Sequence, residues 1–415
     1  MPIFYLLIWV LPLVNHPIWG RHIGPLSVYE YLGVFCLVYA IIHIFAIGRL
    51  PSVFATWEIR LFFLLYLIAF ISALTLGQGV GLSDSSFIIY TSAMFLVFIA
   101  ISVVDTPRRL RWTLLALIGS YGFASLYLIR EWQQGHNIYH YFRPGWIVGD
   151  NNLFSTAAIF GITLAFMFMQ GKRPRWIKWF CAGSLVVSVI AVTLAGSRGA
   201  FLGIATASMV LVWGMKNRVR NLLLVIFLVL PLSVLAPVSP LHRFLNPVAS
   251  DTNSEQFHEE AWLAGLKMIR THPLFGVGLG NFKPMMPQYA PPGTQIDSVG
   301  HSMFIEVGAE LGLPALLLLL GIFGSSYRAL TRVRGAASAP QLVRDAATGL
   351  RAGLIGFALA GCFVSMEYEK TTWLAFGLIA CLSPLARSRV RANKSPIEAA
   401  AVEESQEMPR EVLHS

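Results

Sequence analysis

Two residues of this sequence combine a reactive side chain with an unusual position, Arg198 and His301. Arg198 lies in Gly196-Ser-Arg-Gly199, a tight turn between two apolar stretches. An arginine so close to hydrocarbon is costly without an anionic or polar partner, although it could also reach lipid phosphate. His301 lies at the water boundary before Ser302, which can cap the next apolar stretch. The pair could therefore bind a phosphate group and accept a proton, while a plain interfacial role is the alternative for the histidine.

A second polar group, Arg143 followed by the run Asp150, Asn151 and Asn152, precedes another apolar stretch. The asparagines could cap the helix that follows or contact a substrate directly, and the residue types leave both possibilities open. The aromatic residues of the same loop favour the interfacial belt of a membrane protein.

Two carboxylates, Glu306 and Glu310, lie one helical turn apart on one face of an apolar stretch, with Glu310 roughly 12 Å into the helix. Such groups are costly inside a membrane unless they are paired, so they indicate a polar interior, with Arg198 as a candidate partner. Charge pairing that holds the helices together is one interpretation and a contact with substrate is the other.

Membrane-spanning helices are the elements that must position these groups. The chain has 415 residues, of which 56% are hydrophobic and 13% charged, and its mean hydropathy is +0.64. These values exclude a soluble domain and predict an all-α polytopic membrane protein. With roughly 20 residues needed per helix, about twelve spans are predicted, near 2–19, 28–48, 60–78, 85–104, 112–130, 152–170, 176–195, 200–215, 220–238, 303–324, 349–367 and 371–387.

The basic residues predict the orientation. More than two thirds of the 31 lysines and arginines fall on the side of the N-terminus if the spans alternate, so both termini are predicted to be cytoplasmic. The net charge of +10 then reflects topology and does not indicate nucleic-acid binding. The four cysteines fall in spans without metal-ligand spacing and are predicted to be core residues.

The chain thus divides into nine spans over 1–239, a periplasmic segment over 240–302, three spans over 303–388 and a disordered cytoplasmic tail over 389–415. In the segment, a Thr252 to Glu255 capping box predicts the start of an amphipathic helix that ends near Thr271. The alternate glycines of Pro273-Leu-Phe-Gly-Val-Gly-Leu-Gly-Asn-Phe282 are compatible with phosphate binding, but a plain turn is the simpler interpretation.

Four motifs in this order resemble the O-antigen ligase and polymerase superfamily over roughly residues 145–325. They are Asp150-Asn-Asn152, Ser197-Arg-Gly-Ala-Phe-Leu-Gly203, Ala261-Trp-Leu-Ala-Gly-Leu-Lys-Met-Ile-Arg-Thr-His-Pro-Leu-Phe-Gly-Val-Gly-Leu-Gly-Asn-Phe282 and His301-Ser-Met-Phe-Ile-Glu-Val-Gly-Ala-Glu-Leu-Gly-Leu313. Two positions depart from the family: His258 stands where an arginine is usual, and Ser302 where an asparagine is usual. His301-Ser302 with the Asp-Asn-Asn run is more similar to the O-glycosylation ligase branch found beside exosortase systems.

The resemblance implies a glycosyltransferase of the bacterial inner membrane with its active site on the periplasmic side. Its donor would be a glycan on a polyprenyl diphosphate carrier, and its acceptor lipid A-core, another glycan or a protein. Arg198, helped by Arg143 and Arg270, would neutralise the charge that grows on the leaving diphosphate. His301 would take the proton of the acceptor hydroxyl, and direct displacement would invert the anomeric centre. The residues predicted to contact substrate are Arg143, Arg270, His258, Asn151, Asn152, Glu306 and Glu310.

Neither a cofactor nor a metal is expected, since no Asp-x-Asp or carboxylate cluster faces out. A polymerase or a protein O-glycosylation ligase is the alternative within the enzyme class, because such enzymes would share the donor and differ in the acceptor. A transporter or scaffold for lipid-linked oligosaccharides is the alternative from another class. It would be expected to show internal repeats, and none is evident here.

Overall fold

A computed structural model describes residues 1–47, 51–76, 85–136, 142–214, 249–292 and 299–392, with the isolated positions 218, 219, 221, 223 and 294. Apart from a two-stranded hairpin of β1 (His22–Ile23) and β2 (Leu26–Ser27) and a 3-10 turn at Ser52–Ala55, the described elements are α-helices. The first eight are α1 (Pro2–Val10), α2 (Val28–Ile47), α3 (Trp57–Leu76), α4 (Ser85–Val103), α5 (Pro107–His136), α6 (Asn151–Met169), α7 (Arg175–Ala195) and α8 (Arg198–Trp213). The rest are α9 (Ala249–Thr271), α10 (Phe282–Tyr289), α11 (Met303–Gly335), α12 (Gln341–Ala360) and α13 (Lys370–Ala392).

Seven helices of the described residues, α2 to α7 and α11, are long and apolar enough to cross a membrane. The prediction of an all-helical, multi-pass membrane protein is therefore confirmed, while the number of twelve spans stays a prediction. The span predicted at 220–238 lies outside the described residues except for positions 221 and 223. The disordered tail was predicted from 389, but α13 continues to Ala392, and the rest of the tail lies outside the described residues.

The first predicted span is not one continuous helix. Helix α1 ends at Val10 and turns follow as far as Gly20, because Pro12 and Pro17 have no N–H group to continue the helical ladder. Its nine residues reach only about 14 Å. The start of α9 also differs from the prediction, since the helix begins at Ala249 and Thr252 lies inside it.

Glycines decide how closely α12 lies against α8. A Cβ on Gly203 of α8 would lie 2.6 Å from the carbonyl oxygen of Gly356, and a Cβ on Gly356 would collide with the carbonyl oxygen of Gly203. The two helices thus meet backbone to backbone. This contact brings the first turn of α8 against the loop after α12, where a Cβ on Gly199 would lie 3.1 Å from the Phe363 side chain.

Helix α11 is broken at Gly312, whose φ of 82° and ψ of 174° are not helical. Pro314 follows and has no N–H for the carbonyl of Glu310. The glycine-rich run 273–282 supplies the missing donors: Val277 N donates to Ala309 O at 2.8 Å and Gly278 N to Glu310 O at 2.9 Å. These N–H groups are used within the protein, which supports the interpretation of the run as a turn.

We expect Gly312→Ala to destabilise the protein, because alanine disfavours this backbone conformation and its Cβ would lie 2.5 Å from the Leu274 carbonyl oxygen. The free energy of unfolding should fall by about 1–3 kcal/mol. Gly324→Ala in the same helix is the control, since nothing lies within 4 Å of its Cβ. Thermal unfolding in one detergent measures both, and equal midpoints for the two variants would contradict the role given to the break.

Candidate functional site

The loop before α6 is held by an acidic residue that sequence analysis missed, Glu131 near the end of α5. Its carboxylate accepts backbone hydrogen bonds from Gly145 at 2.9 Å, Trp146 at 3.2 Å and Ile147 at 2.8 Å. A carboxylate that satisfies three amide groups makes the loop a fixed element. A glutamate at a helix end is too common for the sequence to have indicated this role.

Arg143 in this loop joins the ends of two helices. Its Nε donates to the carbonyl oxygen of Ala195 at 2.8 Å, and its Nη2 donates to Asn152 Oδ1 at 3.0 Å. Ala195 ends α7, where carbonyl groups lack helical partners. The Arg143 guanidinium is thereby held in place beside the α7–α8 turn.

The cap of α6 is Asp150, not one of the asparagines. Asp150 Oδ1 accepts from the backbone N of Asn152 at 2.7 Å and of Leu153 at 2.8 Å. Asn152 is therefore left to orient Arg143. Asn151 packs against the loop, since a Cβ atom added to Gly145 would lie 2.9 Å from the Cβ atom of Asn151.

Arg198 is the first residue of α8 and is half-buried. Gly196 before it adopts the left-handed conformation with φ of 67°, and Ser197 caps the helix through the backbone N of Ala200 at 3.5 Å. Arg198 therefore lies at a helix N-terminus, where the backbone dipoles favour an anion. Arg143 binds Ala195 on the same turn, so both arginines belong to one corner of the protein.

His301 is the one residue other than glycine with a positive φ, 47°, in the part of the chain that the structure describes. Ser302 after it caps α11 through Ile305 N at 3.5 Å, as predicted. Met303 N donates to the Gly361 carbonyl at 2.9 Å. Burial lowers the pKa of His301 and the Asp150 carboxylate partly opposes this effect. The imidazole is therefore biased toward its neutral form, which a general base requires.

A row of ring contacts connects His301 with the corner formed by Arg143 and Arg198. The His301 and His258 ring centroids are 4.4 Å apart, those of His258 and Trp262 are 6.1 Å apart, and those of Trp262 and Phe363 are 5.9 Å apart. Phe363 in turn borders Gly199, next to Arg198. The negative charge of Asp150 also acts on His301, so residues far apart in the sequence form one group.

Glu306 and Glu310 are buried below this group and hold other segments to α11. Glu306 accepts from Gly300 N at 2.8 Å and from the Ser365 hydroxyl. Glu310 accepts from Phe282 N at 3.1 Å and from the Tyr368 hydroxyl. Neither takes part in any ion pair between described residues. The donors to these two carboxylates are thus backbone and hydroxyl groups, in the place for which Arg198 was the predicted partner.

The loop between α12 and α13 is the largest element of the site that sequence analysis missed. Glu367 is 1% exposed, and neither of its carboxyl oxygens has a hydrogen-bond partner among the described residues. Glu369 accepts from the N and hydroxyl of Thr371 at 3.3 and 3.1 Å, and burial raises its pKa. The signal was present, because Glu367 falls within the predicted span 349–367, where an acidic residue is costly.

Arg270 does not belong to the group. It is exposed near the end of α9 and lies about 18 Å along the helix axis from His258. Across the described ranges, no group of three or more histidine, cysteine or acidic side chains is arranged to hold a metal ion. The prediction that transfer needs no metal stays a prediction.

We expect Asp150→Asn to move the acidic limb of the pH–activity profile to lower pH. Asparagine can still cap α6 but carries no charge to raise the pKa of His301. His301 should then remain neutral to lower pH, so less activity is lost on acidification. Initial transfer rates across the acidic and neutral range measure the limb, and a limb that moves upward would contradict the assignment.

One comparison with known proteins finds a match for part of this sequence. Residues 183–320 match the sequence model of a family described as O-Antigen ligase. No curated protein matches the chain. The match includes Arg198, His258 and His301, and it leaves out Arg143 and the loop between α12 and α13. It confirms the resemblance seen in the motifs.

Proposed function

Because the chain carries an O-antigen ligase domain over residues 183–320, we propose that it transfers a glycan from a polyprenyl diphosphate carrier to an acceptor hydroxyl. The reaction would take place on the periplasmic side of the bacterial inner membrane, with both termini cytoplasmic. The observation that carries the proposal is the row of contacts from the N-terminus of α8, with Arg198, to His301.

In this proposal the diphosphate lies at the corner formed by Arg143 and the first turn of α8. The bond between the anomeric carbon and the phosphate oxygen breaks, and negative charge grows on that oxygen. The Arg198 guanidinium and the helix N-terminus would stabilise this charge. The Asn152 and Ala195 contacts support a positioned rather than a mobile Arg143.

His301 would accept the proton of the attacking hydroxyl as the new bond from its oxygen to the anomeric carbon forms. The proton moves to the imidazole while the electron pair of the breaking bond stays on the diphosphate. Attack opposite the leaving group inverts the anomeric centre. The lowered pKa of His301 supports this role because the acceptor form is then populated near neutral pH.

Glu306 and Glu310 are given a positioning role. They fix Gly300, next to His301, and Phe282, which follows the glycine-rich turn. Arg270 is an exposed cation outside the group, so its interaction with lipid or donor phosphate would be long-range. The acceptor proposed first is lipid A-core, with a second glycan or a protein as the alternatives.

The test is transfer by purified protein from a polyprenyl diphosphate glycan, with EDTA and with lipid A-core, further donor or candidate protein as competing acceptors. Product on lipid A-core would support the ligase, a longer carrier-linked chain the polymerase, and glycoprotein the protein ligase. Donor that binds without product on any acceptor would overturn the proposal in favour of a transporter or scaffold. His272→Ala is the control for replacing a histidine as such, since His272 is an exposed histidine of the same segment that contacts Thr271 and Tyr289.

A further inference from the structure

His258 is placed by its neighbours to act on His301. It projects from α9, and its ring meets the Trp262 ring edge to face at an interplanar angle of 81°. It also lies against the His301 ring, with 4.4 Å between the ring centroids and an interplanar angle of 37°. His258 thus contacts both an aromatic ring of its own helix and the histidine that we propose as the base.

We propose that His258 is a positioning residue for His301, which keeps the His301 imidazole in place and restricts the two rings to one shared positive charge. The role of His301 as the base rests on the proposed function, whereas the coupling between the two histidines does not. This positioning role differs from the expectation that His258 contacts the donor in place of the family arginine.

The first part of the inference follows from the backbone. His301 holds a left-handed conformation, which few residues other than glycine adopt, although asparagine, aspartate and histidine are enriched among them. A ring that lies 4.4 Å from the imidazole and is tilted by 37° to it limits its rotation and favours one direction of the acceptor nitrogen. Gly300, fixed by Glu306, restrains the same residue from the backbone side.

The second part follows from electrostatics. Two imidazolium groups at this separation repel strongly in a partly buried site, so such a pair titrates as one unit. Burial opposes charge on His301, so the proposal assigns the one shared charge to His258. A positive His258 then opposes protonation of His301. Asp150 at the start of α6 is the charged group that acts on His301 in the opposite sense.

The experiment measures the protonation of His301 without glycan transfer. Diethyl pyrocarbonate modifies the neutral imidazole, and mass spectrometry of the peptide that contains His301 gives the rate at each pH. The full-length protein in detergent is compared with His258→Phe and His258→Gln, which remove the second charge, and with His258→Arg, which makes that charge permanent. Transfer rates of the same variants separate kcat from the KM for donor.

At acidic pH we expect the His301 modification rate to fall by about tenfold in His258→Phe and His258→Gln and to be at least that of the wild type in His258→Arg. The kcat of the first two variants should fall at acidic pH while the KM for donor is unchanged. Modification profiles that overlay the wild type in all three variants, with a raised KM for donor, would overturn the inference and return His258 to substrate binding. If no variant or wild type transfers glycan, the modification profiles still decide the coupling, and only the proposed function fails.

Discussion

Replacing His301 by asparagine should lower the kcat of glycan transfer by about 10²–10⁴, the usual contribution of a general base. Asparagine is the informative substitution because it tolerates the left-handed backbone that His301 adopts with φ of 47°. The loss then reports the missing proton acceptor and not a distorted loop. Alanine would add strain of about 1–2 kcal/mol at this position.

His301→Gly is the companion variant, since it relaxes the backbone and also lacks the base. If His301 is the base, both variants should lose activity to a similar extent while thermal unfolding in detergent stays close to the wild type. The KM for donor should change little, because the proposed position of the diphosphate is at the corner of Arg143 and Arg198. A His301→Asn protein that folds and transfers glycan at the wild-type rate would remove His301 from the mechanism.

The second large effect is expected for Arg198→Ala, which should lower kcat/KM for donor by about 10²–10³, as the loss of a transition-state donor does. Alanine is a good helix former, and Ser197 still caps α8. The change therefore removes the guanidinium and leaves the helix start in place. Arg143, held by Asn152 and Ala195, would account for the remaining activity.

Arg198→Lys separates charge from geometry. Lysine keeps the positive charge but cannot bind two phosphate oxygens with a planar fork, so its rate should fall between those of the wild type and Arg198→Ala. Arg328→Ala, an exposed arginine about 39 Å along α11 from Ser302, is the control for a general loss of charge. Equal rates for Arg198→Ala, Arg198→Lys and the wild type would exclude Arg198 from donor binding.

Several features of the protein could be predicted from local sequence. The apolar stretches placed α2 to α7 close to their observed bounds, because length and hydrophobicity are properties of a stretch by itself. The Ser302 cap and the end of α9 at Thr271 were predicted for the same reason. The order of the motifs indicated the resemblance to O-antigen ligases that the match over residues 183–320 confirms.

The exact partners of the polar residues were mostly not predictable. Sequence reasoning left the asparagines between capping α6 and contacting a substrate, whereas Asp150 caps the helix and Asn152 binds Arg143. It named Arg198 as a candidate partner of Glu306 and Glu310, whereas backbone and hydroxyl groups of loops bind these glutamates. It treated the glycine-rich run without reference to the break at Gly312 that the run fills.

Sequence alone thus determined the helical, membrane-spanning architecture and the set of residue types able to bind a phosphate and accept a proton. Tertiary structure decided which of them meet, such as His258 with His301, and it added Glu131 and the loop of Glu367 and Glu369. The physical reason is that hydrophobic length and capping depend on neighbouring residues, whereas hydrogen-bond partners depend on helix packing. Here that packing is set by close glycine contacts such as Gly203 with Gly356, which join residues far apart in the chain.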